Sequence, residues 1–382
     1  MIDWFLPGYK AGGQIQSCAN LALALQDLFI IYIITSDRDL GDDAPYPSIQ
    51  PDAWNKLGNG LEVFYVSPQN LRYSFLKKVT AQVDPHCIYI NSMFSWPFTA
   101  LPLLAYYRNS KAKIVLAPRG MLHAGALSQR KLKKTLFLQV FKAIGLSSKV
   151  LFHATNTTEV KDIRQVLGKQ VAVKLVQDFN ATIQKPFQTV AKERGQLKCL
   201  FVARVVRHKN LLFLLLMLKR LTATVSVTVA GPVEEADYWN ECQQAISQLP
   251  PHITVSHTGA IPHQELEKIY LDHHLFVLPT LGENFGHAIF ESLLYGRPVL
   301  LSDKTPWHDL QQKEAGWTPA LDQDAFLSVI QVAAGWSQQE FDRHASAAWH
   351  YAKEYIQKGD LANKYVDLFS IEEPTPVTSA RG

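Results

Sequence analysis

A chain of 382 residues, 47% hydrophobic and 19% charged, is long enough for two globular domains and too apolar for a disordered protein. A net charge of +4 provides no strong field of the kind a nucleic-acid binder carries. The four cysteines, Cys18, Cys87, Cys199 and Cys242, stand far apart with no C-x-x-C pair, which argues against a zinc site or a disulfide framework and for a reducing compartment.

The first residues, Met1-Ile2-Asp3-Trp4, show no basic segment followed by a long apolar core, so no signal peptide is expected. No uninterrupted apolar run reaches the ~20 residues of a spanning helix. The expected location is cytoplasmic, with association at the inner face of the cell membrane left open.

Residues 2–6 read as a strand, followed by a turn that ends in Gly12-Gly13. Ile15, Ala19, Ala22 and Leu25 then share one helical face. Paired glycines at a strand-to-helix turn allow a ligand or another backbone to come close. A dinucleotide loop is the competing reading, with Asp37 as ribose acid after the strand 30–35. The G-x-G-x-x-G spacing is absent, which counts against nicotinamide or flavin binding. Asp37-Arg38-Asp39, near Asp42 and Asp43, has the form of an Asp-x-Asp metal grip on a diphosphate. The favoured reading is a solvated loop, with no metal.

Residues 63–66, 87–90, 114–117 and 150–154 are further strands. The third runs into Pro118-Arg119-Gly120-Met121-Leu122-His123, and loops at the carboxyl ends of parallel strands are where open α/β sheets bind ligands. Arg119 and His123 are therefore candidates for substrate binding, or else cap a loop. Residues 128–144 form a helix with Arg130, Lys131, Lys133 and Lys134 at one end and Leu136, Phe137, Val140 and Phe141 following. Such a helix either lies on an anionic membrane surface or packs its apolar stripe inward. A helix opens at residues 155–159 with good N-capping chemistry.

Periodicity is lost from 178 to 195, the expected link between a domain over 1–180 and one over 195–355. The second restarts with a strand at 198–203, then Arg204 and Val205-Val206-Arg207-His208-Lys209-Asn210. Later strands at 225–230, 253–256 and 275–278 alternate with helices, the signature of a second parallel sheet. Helices at 338–357 and 360–369 follow, and a polar tail at 371–382 is expected to be disordered.

The segment 278–303 carries the clearest chemistry. Pro279 ends an apolar strand, Gly286 opens a helix with Ile289, Phe290, Leu293 and Leu294 on one face, and Gly296 closes it. Glu283 lies on the loop and Glu291 in the second turn, so both can face a ligand at a helix N-terminus that favours phosphate. Arg204 and Lys209 add two cations able to neutralise a diphosphate leaving group.

Glu283-x7-Glu291 within Gly282-Glu283-Asn284-Phe285-Gly286, with Arg204, Lys209 and Gly12-Gly13, resembles the family 4 glycosyltransferases. These are retaining, sugar-nucleotide-dependent enzymes of the GT-B fold. Pro118-Arg119-Gly120-Met121-Leu122 and the segment 153–159 look like the subset that builds bacterial exopolysaccharide, capsule or lipopolysaccharide.

The resemblance implies an α/β fold of two Rossmann-like doubly wound parallel-sheet domains facing each other across a cleft, with helices near 355–370 packed back on the first. It implies that Glu291 holds the ribose, that Arg204 and Lys209 hold the diphosphate, and that Glu283 contacts the transferred sugar. The backbone of Asn284, Phe285 and Gly286 would lie near the β-phosphate, and Gly12 and Gly13 would give room for phosphates or acceptor. Asn210 stands where glycine is usual, Asp178-Phe179-Asn180 where Asn-Gly is frequent, and Ser292 where alanine is common.

The expected activity is metal-independent hexosyl transfer from a nucleotide-diphosphate sugar to a hydroxyl of a glycan or lipid-linked glycan, without a cofactor. The alternatives are a sugar-nucleotide epimerase, with His123 or His287 handling the proton, and a non-catalytic nucleotide- or carbohydrate-binding subunit.

Overall fold

The computed structural model describes residues 1–57, 61–106, 111–128, 131–179, 186–357 and 361–370. The first half contains α1 (Gly13–Leu25), β1 (Tyr32–Ser36), β2 (Trp54–Leu57), β3 (Leu61–Val66), α2 (Tyr73–Ala81), β4 (Cys87–Ile90) and α3 (Leu101–Tyr106). After these come β5 (Lys113–Leu116), α4 (Ala124–Ser128), α5 (Lys131–Ala143), β6 (Leu151–Ala154), α6 (Thr157–Leu167) and β7 (Val173–Leu175). The strands make two sheets, β1-β3-β2 and β4-β5-β6-β7, parallel except where β2 runs against β3.

The segment expected as a first strand joins these sheets. Ile2 N donates to Ile34 O at 3.2 Å and Ser36 N to Asp3 O at 3.2 Å, while on the other side Asn91 N donates to Met1 O at 3.0 Å. It ends early because the Phe5 carbonyl is taken by Gly8 N in a turn and Pro7 has no N–H to give. Its Ile2 and Phe5 side chains are buried with Cys18, Ala19 and Ala22 of α1, whose alanines let the helix lie close to the sheet.

The second half contains β8 (Gln196–Val202), α7 (Leu211–Leu218), β9 (Thr224–Ala230), α8 (Ala236–Ile246), β10 (Ile253–Gly259), α9 (His263–Leu271) and β11 (Leu275–Leu278). It continues with α10 (His287–Leu294), β12 (Val299–Leu301), β13 (Gly316–Trp317), α11 (Gln323–Gly335) and α12 (Gln338–Gln357). One parallel sheet runs in the order β10-β9-β8-β11-β12-β13. β11 is buried along its whole length, as its unbroken Leu-Phe-Val-Leu run requires, and α7 follows suit with five buried residues. The order reverses between β8 and β11, so the loops leaving their carboxyl ends, 203–210 and 279–286, diverge over a crevice suited to a ligand.

One expectation changes in detail. The polar run 186–195 is laced to the second half: Lys192 Nζ donates to the carbonyls of Ala334 and Trp336, and Gly195 N to Ala334 O. Of the basic helix expected over 128–144, the described residues give the last residue of α4 and all of α5, with 129–130 outside the described residues. The tail 371–382, Asn180 and residues 181–185 of the link also lie outside them. Finally, α13 (Leu361–Phe369) packs Tyr365 and Leu368 against Leu21, Leu25, Val115 and Val176 of the first half. The result is two Rossmann-like α/β units facing each other across a cleft.

Candidate active site

The cleft between the units has a volume of about 1490 Å³, and residues from both halves line it. On the second half, Lys209 closes the short turn Arg207–Lys209. Asn210 follows in the left-handed conformation (φ 61°, ψ 38°) and donates its side-chain amide to Pro279 O at 3.0 Å. Asparagine tolerates this conformation better than other side chains, so it fills the place of a glycine there.

The two loops over β8 and β11 are laced together. His208 Nε2 donates to Gly282 O at 2.7 Å, Leu281 N to His208 O at 2.9 Å, and Thr280 Oγ1 to His208 O at 3.1 Å. Burial, and then the Lys209 ammonium, lower the His208 pKa, so the ring is neutral with its proton on Nε2. Lys209 forms an ion pair with Glu283, and Arg204 with Glu234.

Gly286 precedes α10 at φ 82°, where a Cβ would come within 2.6 Å of Ile289 Cδ1, so only glycine fits. The Phe285 ring is buried against His287, Phe290 and Trp307, leaving its backbone to face the site; Trp307 Nε1 donates to its carbonyl at 2.7 Å. Glu291 is 5% exposed in the second turn of α10. Burial pushes its pKa up to about 8, against a hydrogen bond donated by Tyr270 Oη at 3.2 Å. His263 Nδ1 lies 3.8 Å away.

On the first half, Gly12 (φ 70°, ψ −134°) precedes α1, whose N-terminus lines the cleft. A Cβ on Gly13 would meet His287 Cδ2 at 3.1 Å, so this glycine lets α1 approach α10. Burial lowers the His287 pKa.

Asp37 and Asp39 are buried rather than solvated. Asp37 pairs with Arg38, and Asp39 Oδ2 accepts from Tyr9 N at 2.7 Å and Lys10 N at 3.1 Å, which holds the loop leading into Gly12-Gly13. Among the described residues no cluster of three His, Cys, Asp or Glu is placed to hold a metal ion.

Arg119 lines the cleft, but its guanidinium is buried and committed. It pairs with Asp178, donates to Asn91 Oδ1, and reaches Tyr89 Oη at 2.9 Å. Tyr89 Oη in turn donates to His153 Nδ1 at 2.8 Å, and His153 Nε2 to Val176 O at 2.8 Å. Burial, with Arg119 adding to it, drives the His153 pKa down to about 4. Burial alone would raise the Asp178 carboxyl, but Arg119 outweighs it and holds the pKa below the usual range. Arg119 is thus part of a buried network, and substrate contact from it would have to come from its backbone.

His123 faces His208 across Gly282: a Cβ there would lie 3.5 Å from one ring and 3.3 Å from the other. Gly125 N donates to His123 Nδ1 at 3.2 Å, which leaves the proton on Nε2.

The cleft therefore brings together Gly12, Gly13, Arg119, His123, Arg204, Lys209, Glu283, Asn284, Phe285, Gly286 and Glu291. Asn156, Glu159, His208 and His263 also line it and were not singled out from the sequence as site residues. His208 had a usable signal in its place between two cations, Arg207 and Lys209; the others depend on contacts far along the chain.

Residues 183–316 match the family described as Glycosyl transferases group 1. A comparison with curated proteins finds no match. Among solved structures, the sucrose-phosphate synthase of Thermosynechococcus elongatus is 18% identical, covering 95% of this chain and 94% of its own, with a TM-score of 0.70. Anabaena HepE, solved with UDP and glucose, is 16% identical over 96% and 98% of the two chains, at 0.67. WaaG, a glycosyltransferase involved in lipopolysaccharide biosynthesis, is 14% identical over 97% and 100%, at 0.63. The chain has the fold of these GT-B glycosyltransferases and carries a glycosyl transferases group 1 domain over residues 183–316.

Proposed function

We propose that the protein is a retaining glycosyltransferase of family 4 type. It moves a hexose from a nucleotide-diphosphate sugar to a hydroxyl of a glycan or lipid-linked glycan in cell-surface polysaccharide synthesis. The observation that carries this is that Arg204, Lys209 and the N-terminus of α10 line one cleft at the β8–β11 switch, which the N-terminus of α1 lines from the other unit. Two cations and a helix end suit a diphosphate that gains charge as it leaves.

In this reading Glu291 accepts hydrogen bonds from the ribose hydroxyls and Glu283 from the transferred sugar. Lys209, held by Glu283, bridges sugar and phosphate sites. The bond from the anomeric carbon to the β-phosphate oxygen breaks, and the acceptor oxygen bonds to the same face of that carbon. The acceptor proton passes to the departing phosphate, so no protein nucleophile is needed. Units over 1–180 and 195–355 close on the donor and exclude water that would hydrolyse it.

The acceptor's lipid suggests where the protein works. Leu132, Leu136 and Val140 form an exposed stripe along α5, beside Lys131, Lys133 and Lys142, and Lys134 of the same helix lines the cleft. An apolar stripe bordered by lysines fits an anionic lipid surface, which would bring the cleft to a lipid-linked acceptor. No helix among the described residues is long and apolar enough to cross a membrane.

A thermal-shift screen against nucleotide-diphosphate sugars, followed by incubation of the best binder with and without glycan acceptors, tests the reading. Acceptor-dependent release of nucleoside diphosphate with retained anomeric configuration is expected. Conversion of the sugar nucleotide without an acceptor would make the protein an epimerase, and binding without consumption would make it a non-catalytic subunit.

A further inference from the structure

Asn284 belongs to the loop after β11, in the second half, yet both polar atoms of its side chain are met from the first. Asn156 Nδ2 donates to Asn284 Oδ1 at 2.7 Å and to its backbone carbonyl at 2.7 Å. Asn284 Nδ2 donates to Thr155 Oγ1 at 2.8 Å and to Glu159 Oε2 at 3.3 Å. This pattern identifies an amide: one acceptor and one donor group, each opposite its complement.

The socket is held by its own bonds. Asn156 Oδ1 caps α6 by accepting from Glu159 N at 2.9 Å, which turns Nδ2 toward the second half. The buried Glu159 carboxylate accepts from Gly120 N at 2.7 Å, Thr155 N at 2.8 Å and Thr155 Oγ1 at 2.9 Å. Gly120, at φ 74°, forms one wall; a Cβ there would sit 3.3 Å from Asn284 Cβ.

On the donor side, Glu283 N donates to Lys304 O at 3.1 Å and the Glu283 side chain pairs with Lys209. The residue that plugs the socket is therefore covalently next to the acid of the donor loop.

We infer that Asn284 is a closure latch, a positioning residue whose amide is recognised by Thr155, Asn156 and Glu159. Glu283 is held in working geometry when the two units are shut on each other. The inference rests on the glycosyltransferase reading for its catalytic consequence and on the hydrogen bonds alone for its mechanical one. Donor binding, carried by groups of the second half, does not need the latch; transfer without loss of donor to water does.

The test compares wild type with Asn284→Ala and with Asn284→Asp, reading shape and activity separately. By small-angle scattering, Asn284→Ala should have a larger radius of gyration than wild type. With the best nucleotide sugar its KM should stay within about threefold, kcat for transfer should fall 10- to 100-fold, and the hydrolysed fraction of donor should rise. Asn284→Asp, with its carboxylate against that of Glu159, should be worse than alanine. Unchanged scattering in Asn284→Ala overturns the latch whatever the activity. A KM rise that matches the loss in kcat/KM overturns it in favour of direct donor contact. If wild type consumes no donor while the scattering change is present, the latch stands and the catalytic reading fails.

Discussion

Lys209 and Glu283 face each other across the crevice between the loops after β8 and β11 as an ion pair, with 17% and 15% of their side chains exposed. Arg204, by contrast, pairs with Glu234 in the open, at 40% and 45%. The two cations assigned to the diphosphate therefore differ in what their loss does to the protein itself.

Arg204→Ala and Lys209→Ala should each lower turnover by roughly 100- to 1000-fold, on the order of 3–4 kcal/mol of transition-state stabilisation. Only Lys209→Ala should also lower stability, by about 1–3 kcal/mol, because it strands a partly buried carboxylate. The solvated Arg204 pair contributes about 0–1 kcal/mol. Initial rates and urea melts on both variants check this, and wild-type rates in both would remove the phosphate assignment.

Glu291 gives stability a pH dependence of defined sign. Its folded pKa of about 8 lies above the 4.5 usual for a glutamate, so the unfolded chain ionises first as pH rises. This group therefore costs stability progressively between pH 4.5 and 8, and the cost is constant above that. Glu291→Gln should melt close to wild type near pH 5 and higher than wild type at pH 8.5 without ligand, while binding the nucleotide sugar more weakly. Equal melting temperatures at pH 8.5 would contradict the buried, neutral carboxyl.

The Arg119–Asp178 pair predicts a large structural effect. Asp178→Asn leaves the buried guanidinium without its counter-charge, and a loss of 3–5 kcal/mol is typical when one partner of a buried pair goes. Denaturant melts measure it. On the acid side, His153 has a folded pKa of about 4 against the 6.5 usual for a histidine, so its contribution is intact above pH 6.5 and lost as pH falls toward 4.

Asp39→Asn should leave transfer insensitive to EDTA, as in wild type, but loosen the loop before Gly12 by weakening its hold on Tyr9 N and Lys10 N. Hydrogen exchange at those amides should speed up. Activity lost to EDTA and restored by manganese would instead return Asp37 and Asp39 to a metal.

For the lipid surface, Leu132→Glu with Leu136→Glu should abolish flotation with vesicles containing anionic lipid. Exposure of 88% and 62% makes the fold indifferent to the change. Fully burying each leucine is worth about 1.5–3 kcal/mol. Equal flotation of variant and wild type would exclude α5 as the contact.

What could be read from the chain depended on whether the cause was local. β11 and α10 were legible because Pro279, Gly286 and Gly296 punctuate them and an apolar run and a 3.6-residue stripe lie between. β2 was missed: four residues on an antiparallel edge, half exposed, give no pattern to detect. The acids Glu283 and Glu291 were visible through spacing, whereas Asn284 was legible only for its backbone near the β-phosphate, because the partners of its side chain lie 125 to 129 residues earlier. Asp39 looked solvated for the same reason, since the amides it holds are 30 residues away. Arg119 stood in a ligand-facing loop, and nothing nearby announced that Asp178, 59 residues on, would claim its charge.

The return of α13 to the first half means that the chain changes units twice, once between Phe179 and Pro186 and again between Gln357 and Leu361. Two bodies joined at one point can swivel in any direction; two bodies joined at two points can turn only about the line through both. A double crossing should therefore favour opening of the cleft about a hinge near both over a free swivel. In the proposed glycosyltransferase, an acceptor presented at a surface would then meet the same donor face on every cycle.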